Sequence, residues 1–364
     1  MNTLTHQHGG DLETIEKQYH IPKNEIIDFS GNINPLGFPN SVKKCLSQNL
    51  DILSVYPDKN YTALKKAISN YTGADINHIV VGNGSTELIS TFIKNCHAKK
   101  TLILGPAYSE YEREAALCGS DYSYIALEEK ENFCFHTEKL LTALTSEIGL
   151  FIFCNPNNPT GTIASTADIQ KILEHCQKYH ISVMIDETYM ECCQNLEQCC
   201  AIPLVKQFDN LFVIRGTSKF FAAPGLRLGY GISSNATFLE TLKQNQDPWS
   251  VNSIAAFAGE RLFSDKNFIE QTKELIFSER NRCISILKTW KNITVYHSSS
   301  NFILLKLKTN TIDSHELFEK LIQKKLLIRD ASSFTFLDDT FLRFCIRMPE
   351  QNTKLLEELK ILIE

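Results

Sequence analysis

The chain reads as an α/β protein, with a mostly parallel central sheet covered by helices on both faces and a smaller α+β unit after it. Three observations predict this. Between residues 78 and 216, five short and nearly continuous apolar runs alternate with segments of helical periodicity. After about residue 265 that alternation gives way to longer helical patterns around three strand-like runs. The chain of 364 residues also exceeds one compact core, at about 150 residues per domain.

Residues 1–45 are rich in turn signals, above all NINPLGFPN from Asn32 to Asn40. The apolar runs follow as HIVVG (78–82), TLILG (101–105), LFIFCN (150–155), VMIDE (183–187) and LFVIRG (211–216). Runs of this length and uniform apolar character are what a strand covered on both faces shows. Between the first two, STELISTFIKNC repeats Leu88, Ile89, Phe92 and Ile93 at helical spacing. Strand and helix in alternation predict parallel pairing. Later come helical patterns at 267–290, 313–324 and 351–363, with strand candidates NFILLKL (301–307), LLIRDA (326–331) and FLRFCIR (341–347). The expected organisation is an arm (1–45) packed with a small domain (266–364), and a large domain (46–265), with a cleft suited to a small molecule.

Composition narrows the function. Hydrophobic residues are 43% and charged residues 22%, so disorder and fibre are excluded. A net charge of −5 and a pI near 6.1 leave no basic surplus for nucleic acid. No apolar stretch approaches membrane-spanning length. The start, MNTLTHQHGGDLETIEK, has neither a basic nor an apolar leader region, so a cytoplasmic protein with reduced thiols is expected. Cys192, Cys193, Cys199 and Cys200 do not match zinc spacing, so no metal is expected and ECCQNLEQCC reads as a thiol-rich surface loop.

Four motifs carry chemistry. Lys219 follows a buried run, where desolvation lowers an amine's pKa and makes it nucleophilic, although a surface lysine in a loop is the plain alternative. Asp186 ends VMIDE, at the carboxyl end of a central strand, where α/β sheets bind ligands. A buried acid there needs a cationic partner such as a pyridinium nitrogen, and Tyr189 sits three residues on. In NPNNPTG (155–161), a turn at a strand end, Asn158 can reach the same ligand. In GNGSTE (82–87), glycines precede Ser85 and Thr86 at a helix N-terminus, an anion site that Ser218 and Arg227 would complete.

Together NPNNPTG, D-E-x-Y and S-K-(x)n-G-L-R-x-G resemble the signature of fold-type I pyridoxal-phosphate enzymes, the class I/II aminotransferase superfamily. The resemblance implies that fold and roles for single residues. Lys219 would carry pyridoxal 5'-phosphate as a Schiff base, Asp186 would pair with its ring nitrogen, and Asn158 and Tyr189 would bond its ring oxygen. Tyr108 in GPAYSEY would stack on the ring, and Ser85, Thr86, Ser218 and Arg227 would bind its phosphate. Tyr56 in VYPDKNY would reach the partner's site in a homodimer. One departure is Gly216, where the family often has a hydroxyl, so a phosphate contact is missing or comes from Thr217.

The ends of the chain narrow the resemblance. HGGD (8–11), IIDFSGNINPLGFP (26–39), PWSVNSIAAFAGE (248–260) and LLIRDASSF (326–334) resemble the threonine-phosphate decarboxylases of cobalamin synthesis, close kin of histidinol-phosphate aminotransferases. That implies that His8, Asn32, Arg329 and Arg343 grip the substrate, with Asn158 beside them; Arg347 faces the same side by strand alternation. For His8 the plain alternative is an untethered terminal residue, and for the arginines it is surface ion pairing. Two guanidiniums suit a phosphate and a carboxylate on one substrate. The expected reaction is decarboxylation of O-phospho-L-threonine or O-phospho-L-serine, because the Cα bond perpendicular to the cofactor ring is the one that breaks. With the carboxylate held in the ring plane, the Cα proton leaves instead, and the enzyme is an aminotransferase. A C–S lyase and a cofactor-binding regulatory module are further alternatives, the last disfavoured by the intact Lys219.

Overall fold

A computed structural model describes residues 9–308 and 311–364. The N-terminal arm is more regular than its turn signals predict. Asp11 caps a short helix, α1 (Leu12–Tyr19), by accepting from the Thr14 N–H, and a two-residue strand, β1 (Ile27–Asp28), follows. Leu12, Ile15 and Tyr19 pack in one cluster with Ile26, Phe318, Ile322 and Leu327. A helix this short carries too few apolar positions to stand out in the sequence.

Helices α2 (Asn40–Ser47) and α3 (Thr62–Thr72) lead into the main sheet. Its strands are β2 (Ile79–Asn83), β3 (Lys100–Gly105), β4 (Asp121–Ala126), β5 (Leu150–Cys154), β6 (Ser182–Asp186), β7 (Leu211–Gly216) and β8 (Leu228–Ile232). They lie in the order β2-β8-β7-β6-β5-β3-β4, and β8 alone opposes its neighbours. The five apolar runs fall on β2, β3, β5, β6 and β7 to within one residue. Helices α4 (Ser85–Cys96), α5 (Glu110–Leu117), α6 (Thr137–Ala143) and α7 (Thr166–Lys178) fill the crossovers. Successive side chains alternate between faces. Leu102, Phe151, Val183 and Val213 join one core cluster, while Ile103, Ile152, Met184 and Ile214 join the other.

Helices α8 (Ala236–Asn245), α9 (Ser253–Leu262) and α10 (Lys266–Leu287) precede a second, antiparallel sheet. It contains β9 (Ile293–Val295), β10 (Phe302–Leu307), β12 (Arg329–Asp330) and β13 (Phe341–Cys345), in the order β12-β13-β10-β9. Helices α11 (Ser314–Ile322) and α12 (Pro349–Ile363) cover it. The run 326–331 is divided: β11 (Leu326–Leu327) pairs in parallel with β1, and β12 pairs with β13. The chain thus changes sheets at Ile328. Among the described residues no helix is long and apolar enough to cross a membrane.

The cysteine cluster corrects the surface-loop expectation. Cys192, Cys193, Cys199 and Cys200 are all buried, and Cys199 Sγ lies 3.6 Å from the Met190 sulfur. The polar residues between them, Gln194, Asn195, Glu197 and Gln198, take the solvent side. The thiols turn inward as small apolar groups.

Candidate active site

Five strands end on one edge of the main sheet, and each delivers a side chain to one cavity of about 510 Å³. Ser85 and Thr86 follow β2, Tyr108 follows β3, Asn158 follows β5, Asp186 ends β6, and Ser218 and Lys219 follow β7. Open α/β sheets bind ligands at this edge. Tyr189, Arg227, Asn32, Arg329 and Arg343 line the same cavity. Tyr56 does not, being 77% exposed elsewhere on the surface. His8 lies outside the described residues, while its neighbour Gly9 is on the cavity wall.

Lys219 Nζ donates to the Gly31 carbonyl at 2.7 Å. Burial, aided by the positive charge of Arg343, lowers its pKa to about 8. Asp186 is also buried, which raises its pKa, against three hydrogen bonds that favour the carboxylate. Oδ1 accepts from the Thr188 N–H (2.9 Å) and hydroxyl (2.5 Å), and Oδ2 from the Tyr111 hydroxyl (2.7 Å). Asn32 adopts a left-handed backbone (φ 56°) and donates from Nδ2 to the Tyr189 hydroxyl at 3.1 Å; its buried Oδ1 has no partner.

A cradle of hydroxyls and bare backbone N–H groups, with Arg227 beside it, occupies one end. Gly84 caps α4 with no side chain, so Ser85 and the first-turn N–H groups are presented bare. A Cβ on Gly84 (φ 84°) would stand 2.5 Å from Arg227 Nη2, and one on Gly229 would stand 2.5 Å from the Ser85 nitrogen. Only glycine allows these approaches. Thr217 does not supply the contact expected in place of Gly216: its hydroxyl is buried and donates to the Leu228 carbonyl at 3.1 Å. A Cβ at 216 would lie 3.6 Å from Ser85 Oγ, so a hydroxyl is simply missing beside Ser85.

At the other end Arg329 and Arg343 are register partners on β12 and β13. Arg343 donates to Asn158 Oδ1 and, at 2.9 Å, to the Ser30 carbonyl, and its Nε has no partner. Arg329 Nη2 donates to Ser333 Oγ at 2.6 Å. Burial lowers the pKa of both, that of Arg329 to about 10. Arg347 stands apart. β13 ends at Cys345, so strand alternation does not carry to it, and its guanidinium donates weakly to the Ile33 carbonyl at 3.4 Å. Sequence reasoning missed Tyr111, Glu112, Tyr124 and the segment Ser333 to Thr335, all on the cavity wall. The second tyrosine of GPAYSEY was the available signal for the first of these.

An α/β sheet whose strand ends gather a half-buried lysine, a buried aspartate and a glycine-lined cradle of hydroxyls, beside two facing arginines of the second sheet, has the arrangement of an enzyme active site. The chain belongs to the aminotransferase class I and II family, whose profile matches residues 24–359. It is 41% identical to a provisionally named threonine-phosphate decarboxylase of Caldanaerobacter subterraneus subsp. tengcongensis, over 92% of this chain and 89% of that protein. It is 33% identical to the threonine-phosphate decarboxylase of Salmonella typhimurium, over 97% of this chain and 95% of the relative. Among solved structures, the histidinol-phosphate aminotransferase from Clostridium acetobutylicum superposes with a TM-score of 0.85 at 34% identity, covering 92% of this chain and 98% of that one.

Proposed function

We propose that this protein decarboxylates an O-phospho amino acid, O-phospho-L-threonine or O-phospho-L-serine, to carbon dioxide and the amino-alcohol phosphate, in the cytoplasm and toward cobalamin. The observation that carries the reading is the facing pair Arg329 and Arg343, buried in the cavity and, among the described residues, bonded to no carboxylate. Like charges set opposite each other on adjacent strands are destabilising. A substrate phosphate, carrying close to two negative charges, removes that cost.

The residues fit pyridoxal 5'-phosphate: Gly84 and Gly229 keep open a cradle for its phosphate at Ser85, Thr86, Ser218 and Arg227, Asp186 would face its ring nitrogen, Tyr108 would stack on its ring, and Asn158 and Tyr189 would bond its ring oxygen. When bound, it supplies an electron sink for the bond broken at the substrate's Cα. Lys219 would hold the cofactor aldehyde through its amine. With a pKa near 8, that amine keeps a usable neutral fraction at neutral pH, unlike an ordinary lysine, and can return a proton to Cα. Arg329, Arg343 and Asn32, with His8, would grip the phosphate and leave the carboxylate free to depart.

We also propose a homodimer in which Tyr56 completes the partner's site. In support, Tyr56 stacks on Trp249 at 4.5 Å beside exposed Leu50, Leu53 and Val55, an apolar patch on the surface. Chromatography with light scattering tests it, a monomer with full turnover being the contrary result.

A second reading, histidinol-phosphate aminotransferase, is favoured by the 34% identity to that solved structure. Purified, cofactor-loaded protein is given O-phospho-L-threonine, O-phospho-L-serine and histidinol phosphate separately. Carbon dioxide from a phospho-amino acid without any oxo acid supports the decarboxylase. Amine transfer from histidinol phosphate to 2-oxoglutarate, without carbon dioxide, overturns it.

A further inference from the structure

The cavity wall opposite the anion cradle is built by residues that the roles above leave unused. Tyr124, on the edge strand β4, donates its hydroxyl to Glu112 Oε2 of α5 at 2.8 Å. The Tyr124 ring meets Phe336 edge-on at 5.9 Å. Gly105 leaves room for both rings, since a Cβ there would lie 2.9 Å from Tyr124 and 3.1 Å from Phe336. Phe336 is held at φ 73°, a conformation that a bulky residue adopts only where its surroundings enforce it.

The segment Ser333 to Phe336 thus has two ends with different anchors. Ser333 accepts from Arg329, and the Phe334 ring lies under both guanidiniums, 5.4 Å from that of Arg329 and 5.8 Å from that of Arg343. Phe336, at the other end, packs edge-on against Tyr124. Tyr124 thereby ties β4 and α5 to the segment that carries the arginine contacts.

We infer that Tyr124, oriented by Glu112, is a positioning residue that fixes Ser333 and Phe334 and through them sets the affinity of Arg329 and Arg343 for a second anionic group on the substrate. The inference rests on the proposed phospho-amino-acid reading for its ligand, and only for that.

The test uses the cofactor-loaded protein and its spectral response to binding, which needs no turnover. Two probes are titrated, O-phospho-L-serine and L-serine, which differ only by the phosphate. In Tyr124→Phe the dissociation constant for the phosphorylated probe rises about tenfold, the worth of one well-placed hydrogen bond, while that for L-serine stays within about twofold. Glu112→Gln weakens the same probe in the same sense, and the double variant is no worse than Tyr124→Phe alone, as expected of groups acting in series. Equal weakening of both probes, or no change in either with the fold intact, overturns the inference. Loss of phosphate selectivity in a protein that releases no carbon dioxide would instead overturn the decarboxylase reading and leave this inference standing.

Discussion

Two buried arginine systems, one on β7 of the main sheet and one on β12 and β13 of the second sheet, are built on opposite principles. On one side Arg215 of β7 donates through Nε (2.9 Å) and Nη2 (2.7 Å) to Glu187 Oε2, with Glu191 at 3.6 Å from Nη1 and Cys200 Sγ at 3.1 Å from Nη2. Glu187 also accepts from the Ala201 N–H at 2.6 Å. On the other side Arg329 and Arg343 face each other with neutral partners only, among the described residues. A buried cation surrounded by its own anions is finished structure. A buried pair of cations with leftover donors is a receptor, because burying charge without a partner costs stability that only a ligand returns.

The sharpest way to break this contrast is Arg343→Met. Two or more charge-assisted hydrogen bonds to an anion, each about 1.5–3 kcal/mol, are lost, so kcat/KM falls by about 10³-fold or more. Folding stability in urea stays level or increases, since an unpaired buried charge has gone. Arg215→Met is the mirror experiment. Leaving Glu187 without its partner costs about 3–5 kcal/mol in denaturant unfolding, while the activity of the remaining folded protein is kept. If Arg343→Met unfolds the protein and Arg215→Met does not, the contrast is wrong.

A third effect comes from Lys219. Its pKa in the fold is about 8, against 10.5 for the free group. Between these values the unfolded chain holds a proton that the folded chain has lost, so the stability of the cofactor-free protein rises with pH across that window. Below pH 8 the full penalty is present. Lys219→Met removes this slope, which amounts to about 3 kcal/mol, and urea midpoints of both proteins at pH 7.5 and pH 10 read it out. The smallest effect is Tyr111→Phe. It takes one of three hydrogen bonds from Asp186, costing about 1 kcal/mol and a few-fold in turnover.

The parts of the fold readable from sequence were those with a uniform environment. β5 and β7 are buried at every residue, and their unbroken apolar runs announce it. β4 is half exposed at the sheet edge, and DYSYIA mixes polar and apolar residues accordingly. β8, LGYGI, hides behind glycines that its neighbours require: a Cβ on Gly231 would stand 2.2 Å from the Phe212 ring. The site divides in the same way. Residues fixed by a local motif, such as Lys219, Asp186 and Asn158, could be named from their immediate sequence. Tyr124 could not, because its role depends on a contact with Phe336 made across more than two hundred residues of chain, which no local pattern encodes. The thiols misled for a related reason: the intervening QNLEQ reads as a surface loop, and only the tertiary fold shows which side of it faces in.

The changeover at Ile328 has a mechanical side. Arg329 follows directly after a two-residue ladder in which Ile27 N donates to Lys325 O and Phe29 N to Leu327 O, both at 2.8 Å. A load applied to the arm around α1 therefore passes through very few bonds before it reaches the strand that carries Arg329. A pull on the arm, or a clamp on it, thus acts within a few bonds of Arg329.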